Sequence, residues 1–464
     1  MSQSIQWTKL MEAKHIYGIK YPSCFNPDEI SFAGRHLGRS PYETYLHGSD
    51  FSRVKSLRWH HIAEADNIGG IIYPDSFDIQ SANFEGRDIS KSDFSRVDSF
   101  GWEKIRHASE IWGIIYPADF DADELNWQGR YIAGSDFSRV EGLRWRHLEP
   151  VWGLSEIVYP SSFDIHNADF NDKNISNSDF SRLQALKWEQ IRRAEFIFGI
   201  IYPPSFDIEK ADFNEDPLGK PRDLTNSDFT RCRSLAWNQI KFAGDLSGIR
   251  YPSAFNPNTA DFAGRDISRS DFSSVVELRW HHIARAEDAS GIIFPETFDP
   301  EEIRSEGKNF SGNDFSRVKG LKWQHIKDAR YLAGIVYPPD FDVEQADFSG
   351  LDLRYSDFSR LHGLKWDQLK KAGKDLRGII YPPGFDFSEA DLTNRNLAGG
   401  NFKYSKNLSM SKLTEQSGWK KWAGVKKSLK AVVFPSNIEF SLSSFKGYDL
   451  SYADFTGLDE KHPI

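Results

Sequence analysis

The chain has almost no cysteine. Cys24 and Cys232 are its only two, they stand far apart in the sequence, and neither a disulfide framework nor a cysteine-based zinc site can be built from them. A reducing, cytoplasmic compartment is expected. Long apolar runs are also missing: no stretch approaches the roughly 18 residues of a membrane-crossing helix, and MSQSIQWTKLMEAK at the N-terminus has no apolar core of signal-peptide type. No transmembrane segment is therefore expected. Charge of one sign is scarce, since a net −9 is mild over 464 residues and Asp and Arg are interleaved, so no direct nucleic-acid binding is expected. The motifs of nucleophilic, phosphate and zinc chemistry are absent: there is no G-x-S-x-G, no Walker loop and no H-E-x-x-H. No catalytic residue, metal or cofactor is assigned, and a unique site has room only in the insertions and termini.

What is present is repetition and aromatic content. Aromatics make up 14% of the chain, which argues against disorder and for extensive burial. Trp7, Trp59, Trp102, Trp145, Trp188, Trp237, Trp280, Trp323, Trp366 and Trp419 form one column, and most of them stand 43 residues apart. Irregular gaps coincide with insertions at PYETYLHG (41–48) and EDPLGKP (215–221) and with a degenerate last module. A period of this length signals a repeat array in which each unit packs on its neighbours. The organisation read from it is a nine-module solenoid over 1–418 and a degenerate C-terminal capping module over 419–464.

Each module reads as three segments. W-x-x-[I/L]-x-x-A, as in Trp188, Ile191 and Ala194, predicts a helix of two or three turns. An apolar run ending in Tyr-Pro or Phe-Pro, such as GIIYP at 199–203, predicts a buried strand that the proline ends. Pentads with an apolar centre follow, as in ADFSG, LDLRY and SDFSR at 346–360. Neither the helical nor the strand period gives five.

With ADFAG-RDISR-SDFSS at 260–274 and ADLTN-RNLAG-GNFKY at 390–404, about a third of each module resembles the pentapeptide-repeat proteins. The resemblance implies a right-handed β-helix wound from A-[D/N]-[L/F]-x-x units. Carried over, it places Ala260, Phe262, Ile267, Ser270 and Phe272 in the core and Asp261, Asp266 and Asp271 outside. The fold class expected is an α/β repeat solenoid, with right-handed β-helix-like pentapeptide coils and a short helix per 43-residue module. With one coil per module, strands about 4.8 Å apart and helices about 8–10 Å apart coexist only on an arc, so the array is expected to be curved. Two coils per module would make it straighter.

Functional candidates are columns. In SDFSR and its near-copies, Asp50, Asp93, Asp136, Asp179, Asp228, Asp271, Asp314 and Asp357 are invariant. Arg53, Arg96, Arg139, Arg182, Arg231, Arg317 and Arg360 fill seven of eight corresponding places, with Ser274 the exception. Stacked like charges need counter-charge. One reading has Asp fixing coil corners as Asx-turns with Arg pairing laterally; the other makes the Arg column a recognition strip for an acidic or phosphorylated partner. A third ladder places Arg35, Arg87, Arg130, Lys173, Arg222, Arg265, Lys308 and Arg395 in the middle pentads.

His61, His147, His282 and His325 share a helical position, but neighbouring helices stand too far apart for one ion, and solvated helix surface is expected. In the last module, Lys420, Lys421, Lys426 and Lys427 surround Trp419, Trp422 and Val425, either as the outer face of a capping helix or as an anion or membrane-surface contact. The function expected is a non-enzymatic binding or scaffold protein that presents an extended surface to a protein partner. The alternatives are a DNA-mimicking inhibitor of a topoisomerase, implied by the resemblance, and an enzyme with its site on an insertion or terminus.

Overall fold

The structure, a computed structural model, describes residues 7–38, 48–127, 129–216, 218–393, 395–414, 428–436, 438, 445 and 447–457. The chain divides into two compact units, Met1–Ile111 with Val343–Ile464, and Trp112–Asp342. Both are repeat solenoids of the same coil.

In the second unit, parallel bridges link Ile115, Asp136, Val158, Asp179, Ile201, Asp228, Arg250, Asp271, Ile293, Asp314 and Val336 in turn. Asp271, Ile293 and Asp314 stand 22 and 21 residues apart, so each 43-residue module is two coils, not the one that the curved reading assumed. The short helix occurs only in alternate coils. Two ladder steps of about 4.8 Å give roughly 9.6 Å between helices, inside the packing distance helices prefer, and the mismatch that demanded an arc disappears.

The expected strands are not formed: among the described residues the ladders are isolated bridges. In GIIYP only Ile201 bridges; Ile200 and Tyr202 on either side are fully buried. Left-handed Gly199 on one side and Pro203 on the other confine the extended backbone to that length. The helices are likewise shorter than predicted. α1 (Trp59–Ile62), α2 (Trp102–Ile105), α3 (Trp145–Leu148), α4 (Trp188–Ile191), α5 (Trp237–Ile240), α6 (Trp280–Ile283), α7 (Trp323–Ile326) and α8 (Trp366–Leu369) are single turns. A coil of about 22 residues that must return to its ladder has no room for a second turn.

The core is an aromatic stack. The Tyr of each Tyr-Pro pair lies flat on the Phe of SDF in the next coil: Tyr73 on Phe94 at 4.6 Å, Tyr159 on Phe180 at 4.7 Å and Tyr251 on Phe272 at 4.5 Å between ring centres. The tryptophan at each helix start meets the next Phe edge-on, as Trp188 does Phe213 at 5.1 Å. Phe262, Ile267, Ser270 and Phe272 are fully buried, while Asp261 and Asp266 are exposed.

One backbone corner recurs in the left-handed region, filled alternately by glycine and by another residue. Asn177 has φ 57° and Gly199, one coil on, φ 69°. A Cβ on Gly199 would stand 1.9 Å from Asn177 Oδ1 and 3.1 Å from its Cα, so the glycine is required by the neighbour's side chain as well as by its own φ.

In the first unit the ladder runs Asp357, Ile380, Asn401, Val433, Asp454, Lys20, Asp50, Ile72 and Asp93. The described part of the C-terminal segment therefore has a coil on either side: Val433 bridges Asn401, and Asp454 bridges Lys20. Tyr452 N–H donates to Tyr17 and Phe455 N–H to Lys20, and Lys20 N–H to Ala453, at 2.9–3.2 Å. The expected boundary at 418/419 lies outside the described residues.

Candidate binding surface

The Asp column is structural. Asp93, Asp136, Asp179, Asp271, Asp314 and Asp357 each accept, through Oδ1, the backbone N–H two residues on at 2.8 Å. Asp50 and Asp228 do the same at 2.9 Å. This is the Asx-turn, which holds the chain at the corner after SDF. The carboxylates do not stack on one another, because the intervening coils place Ile72, Val158, Ile201, Ile293, Val336 or Ile380 between them. Two intervening coils carry cations instead, and each pairs with a neighbouring Asp: Lys20 with Asp454 at 3.4 Å and Arg250 with Asp228 at 3.3 Å.

Three residues after each Asp stands the Arg column. Arg53, Arg96, Arg139, Arg182, Arg231, Arg317 and Arg360 are all exposed. Arg182 leans back along the ladder to the carbonyl of Ser138 at 3.5 Å. Lateral Asp pairing does not account for the column, since among the described residues Arg96, Arg231, Arg317 and Arg360 form no ion pair.

The third ladder has a different task. Arg87 donates to the carbonyls of Ala63 and Ala65 at 2.8 and 2.5 Å, just past the end of α1. Lys173 reaches Glu149 and Val151 at 2.8 Å after α3, and Lys308 reaches Ala284 at 2.7 Å after α6. Each cation thus satisfies orphan carbonyls at the C-terminus of the helix one coil back, where the helix dipole also favours positive charge. Arg222 and Arg395 further cover the rings of Trp188 and Trp366. No spacing signal in the sequence separates this column from the exposed one.

The histidine position is not solvated surface, as had been expected. His61, His147 and His325 side chains are only 6–8% exposed. In each helix, Nδ1 accepts the N–H of the residue before the tryptophan, from Arg58 at 2.9 Å and from Arg144 at 3.1 Å. Gln190, Gln239 and Gln368 accept the same bond through Oε1, and their amides donate to the coil behind, as Gln190 does to Ile165 at 2.6 Å. Position three of the helix is therefore an N-terminal cap.

Asp28, His60 and His61 bring three potential ligand atoms within 4.8 Å. A metal on His61 Nε2 would leave the proton of neutral imidazole on Nδ1, against the Arg58 N–H that Nδ1 accepts. His61 Nε2 instead donates to Asp28 at 2.8 Å, and the cluster is read as a cap.

A cleft of about 560 Å³ is lined by Trp366, Asp367, Lys370, Lys374, Glu389, Asp391, Thr393 and Arg395. Its cations are engaged, Lys370 with Asp367 at 2.6 Å and Arg395 with the carbonyls of Lys370 and Gly373. Burial pushes the Cys232 thiol up to about 12, which removes it as a nucleophile at neutral pH. Lys420, Lys421, Lys426 and Lys427 lie outside the described residues. No described helix is long and apolar enough to cross a membrane.

No protein-family model and no curated protein sequence matches the chain. Among solved structures, the chain aligns with HetL, a pentapeptide repeat protein involved in heterocyst differentiation regulation from the cyanobacterium Nostoc sp. strain PCC 7120. The identity is 10% over 87% of this chain and 88% of that one, and the TM-score of 0.09 carries no argument.

Proposed function

We propose that this chain is a non-enzymatic binding protein of the cytoplasm, built from pentapeptide-type coils, whose Arg column is the surface offered to an acidic protein partner. The observation that carries this reading is the division of labour within SDFSR. Asp is half-buried and bonded to backbone, whereas Arg stands exposed at the same place in seven copies. A residue that only shaped the corner would not need a long, always-charged side chain. Mimicry of DNA finds less support, since the exposed member of each pair is the cation. The test is capture of partners from source-cell extract by the immobilised full chain and by the Arg139→Glu, Arg182→Glu, Arg231→Glu triple variant. Steep loss in the variant, and release of wild-type partners by salt, support the reading. A folded triple variant that retains every partner sinks it.

A further inference from the structure

We infer that the Arg139, Arg182 and Arg231 stretch recognises a peptide in polyproline II conformation that carries an acidic side chain at every third position. This rests on the reading of the Arg column as a binding surface, and adds the conformation and register of what binds.

The three arginines occupy equivalent corners in alternate coils of one unit. The ladder between them is unbroken, through Asp136, Val158, Asp179, Ile201 and Asp228. The 215–221 insertion leaves the register intact, because Ile201 bridges Asp228 directly. The arginines are therefore two ladder steps apart, roughly 9.6 Å. In the coils between and beside them the same column holds Ala118, Ser161, Pro204 and Ser253, all exposed and uncharged. Elsewhere Asp75 and Glu296 take such places, so this is where the column is free of interposed acid.

The spacing selects among extended and helical ligands. A polyproline II chain has three residues per turn and rises about 3.1 Å per residue, so every third side chain returns to one face after roughly 9.3 Å. A β-strand repeats one face every two residues, about 6.7 Å, and falls out of step at once. An α-helix returns near one face every seven residues, about 10.5 Å, and drifts by roughly 1 Å per repeat. Only the polyproline II period stays within a few tenths of an ångström of the array. Asp136, Asp179 and Asp228 beside the arginines suppress any broad positive field. A polyanion without the period gains little from such a surface, whereas in-register carboxylates meet each guanidinium singly.

The experiment uses the full chain and a fluorescent (Glu-Pro-Pro)6 peptide, with binding read by anisotropy at low and high salt. Comparison ligands are a peptide of the same composition with its glutamates clustered, a helical peptide with Glu at every seventh position, and a duplex DNA oligomer. The inference expects the regular peptide to bind at least about tenfold more tightly than each comparison ligand, and to be lost with the triple Arg→Glu variant. The triple Arg→Gln variant serves if the reversal fails to fold. Equal binding of all peptides, lost together in the variants, overturns the register and leaves the surface reading standing. Failure of the regular peptide to bind overturns this inference alone, since partner capture tests the surface separately. Regular-peptide binding that survives both triple variants overturns the two readings together.

Discussion

Replacing Gly199 by alanine isolates the alternating left-handed corner. Two costs arise. Alanine at φ 69° carries the left-handed penalty of roughly 1–2 kcal/mol. The new Cβ also stands 1.9 Å from Asn177 Oδ1, 2.8 Å from its Cγ and 3.1 Å from its Cα. A rotation of Asn177 could relieve the first two contacts but not the third, which is backbone, so overpacking adds roughly 1–3 kcal/mol. The total expected is about 2–5 kcal/mol. Gly264 is the control: its φ is 68°, but a Cβ there meets nothing within 4 Å, so Gly264→Ala should cost only the backbone penalty of roughly 1–2 kcal/mol. Both variants are compared with wild type by urea unfolding followed by far-UV circular dichroism and tryptophan fluorescence. The Asn177→Gly background should return part of the loss at Gly199 and none at Gly264. Equal destabilisation by the two alanines, or no rescue by Asn177→Gly, refutes the argument that neighbouring coils alternate glycine because of each other.

Three further outcomes follow from the column assignments. Asp179→Ala leaves the Ser181 N–H without its acceptor and should cost about 1–2 kcal/mol in the same unfolding assay, with Asp179→Asn, which keeps an Oδ1, costing clearly less. Arg87→Met, which uncaps α1, should cost about 1–2 kcal/mol, while Arg96→Ala, on the exposed column, should stay within about 0.5 kcal/mol; the reverse order would exchange the roles of the two arginine ladders. His147 is held below the usual imidazole value of 6.5, first by burial and then by Arg146, with Asp123 opposing. The native state thus favours neutral imidazole, and the stability this contributes is present above about pH 6.5 and lost as pH falls below it. Melting temperatures taken from pH 7.5 to 5 should show that decline, and His147→Gln, which places at this site the residue used in three other helices, should flatten it.

The repeat period was legible because the tryptophans mark it without ambiguity, and the pentad centres Phe262, Ile267 and Phe272 gave the core correctly. The number of coils was not legible. The second coil of each module spells its ladder with Ile or Val and a following Pro rather than with a pentad, so one face of the solenoid is written in two alphabets. The role of Asp in SDFSR could be read, since an Asx-turn needs only the residue and its next two neighbours. Arg87 and Arg96 could not be told apart, because the carbonyls that Arg87 satisfies lie more than 20 residues earlier. His61 and Gln190 looked interchangeable only as polar surface, whereas their shared property is an acceptor aimed at the N–H three residues before them. The glycine of GIIYP carried no signal by itself, its reason being the side chain of Asn177 in another coil.

The pairing of the first coil with the last has a consequence for synthesis. Lys20 leaves the ribosome early, and Asp454, which lies beside it in the ladder, follows about 430 residues later. At roughly 5–20 residues per second that is an interval on the order of 20–90 s. Throughout it, the backbone groups of His15, Tyr17 and Lys20 that later bond to 448–455 form an open edge, the kind that recruits other chains. Every other coil finds its neighbour within seconds of emerging. The last step of folding is therefore a long-range closure with the highest sequence separation in the chain, and premature termination anywhere before Asp454 leaves that first edge without its native neighbour.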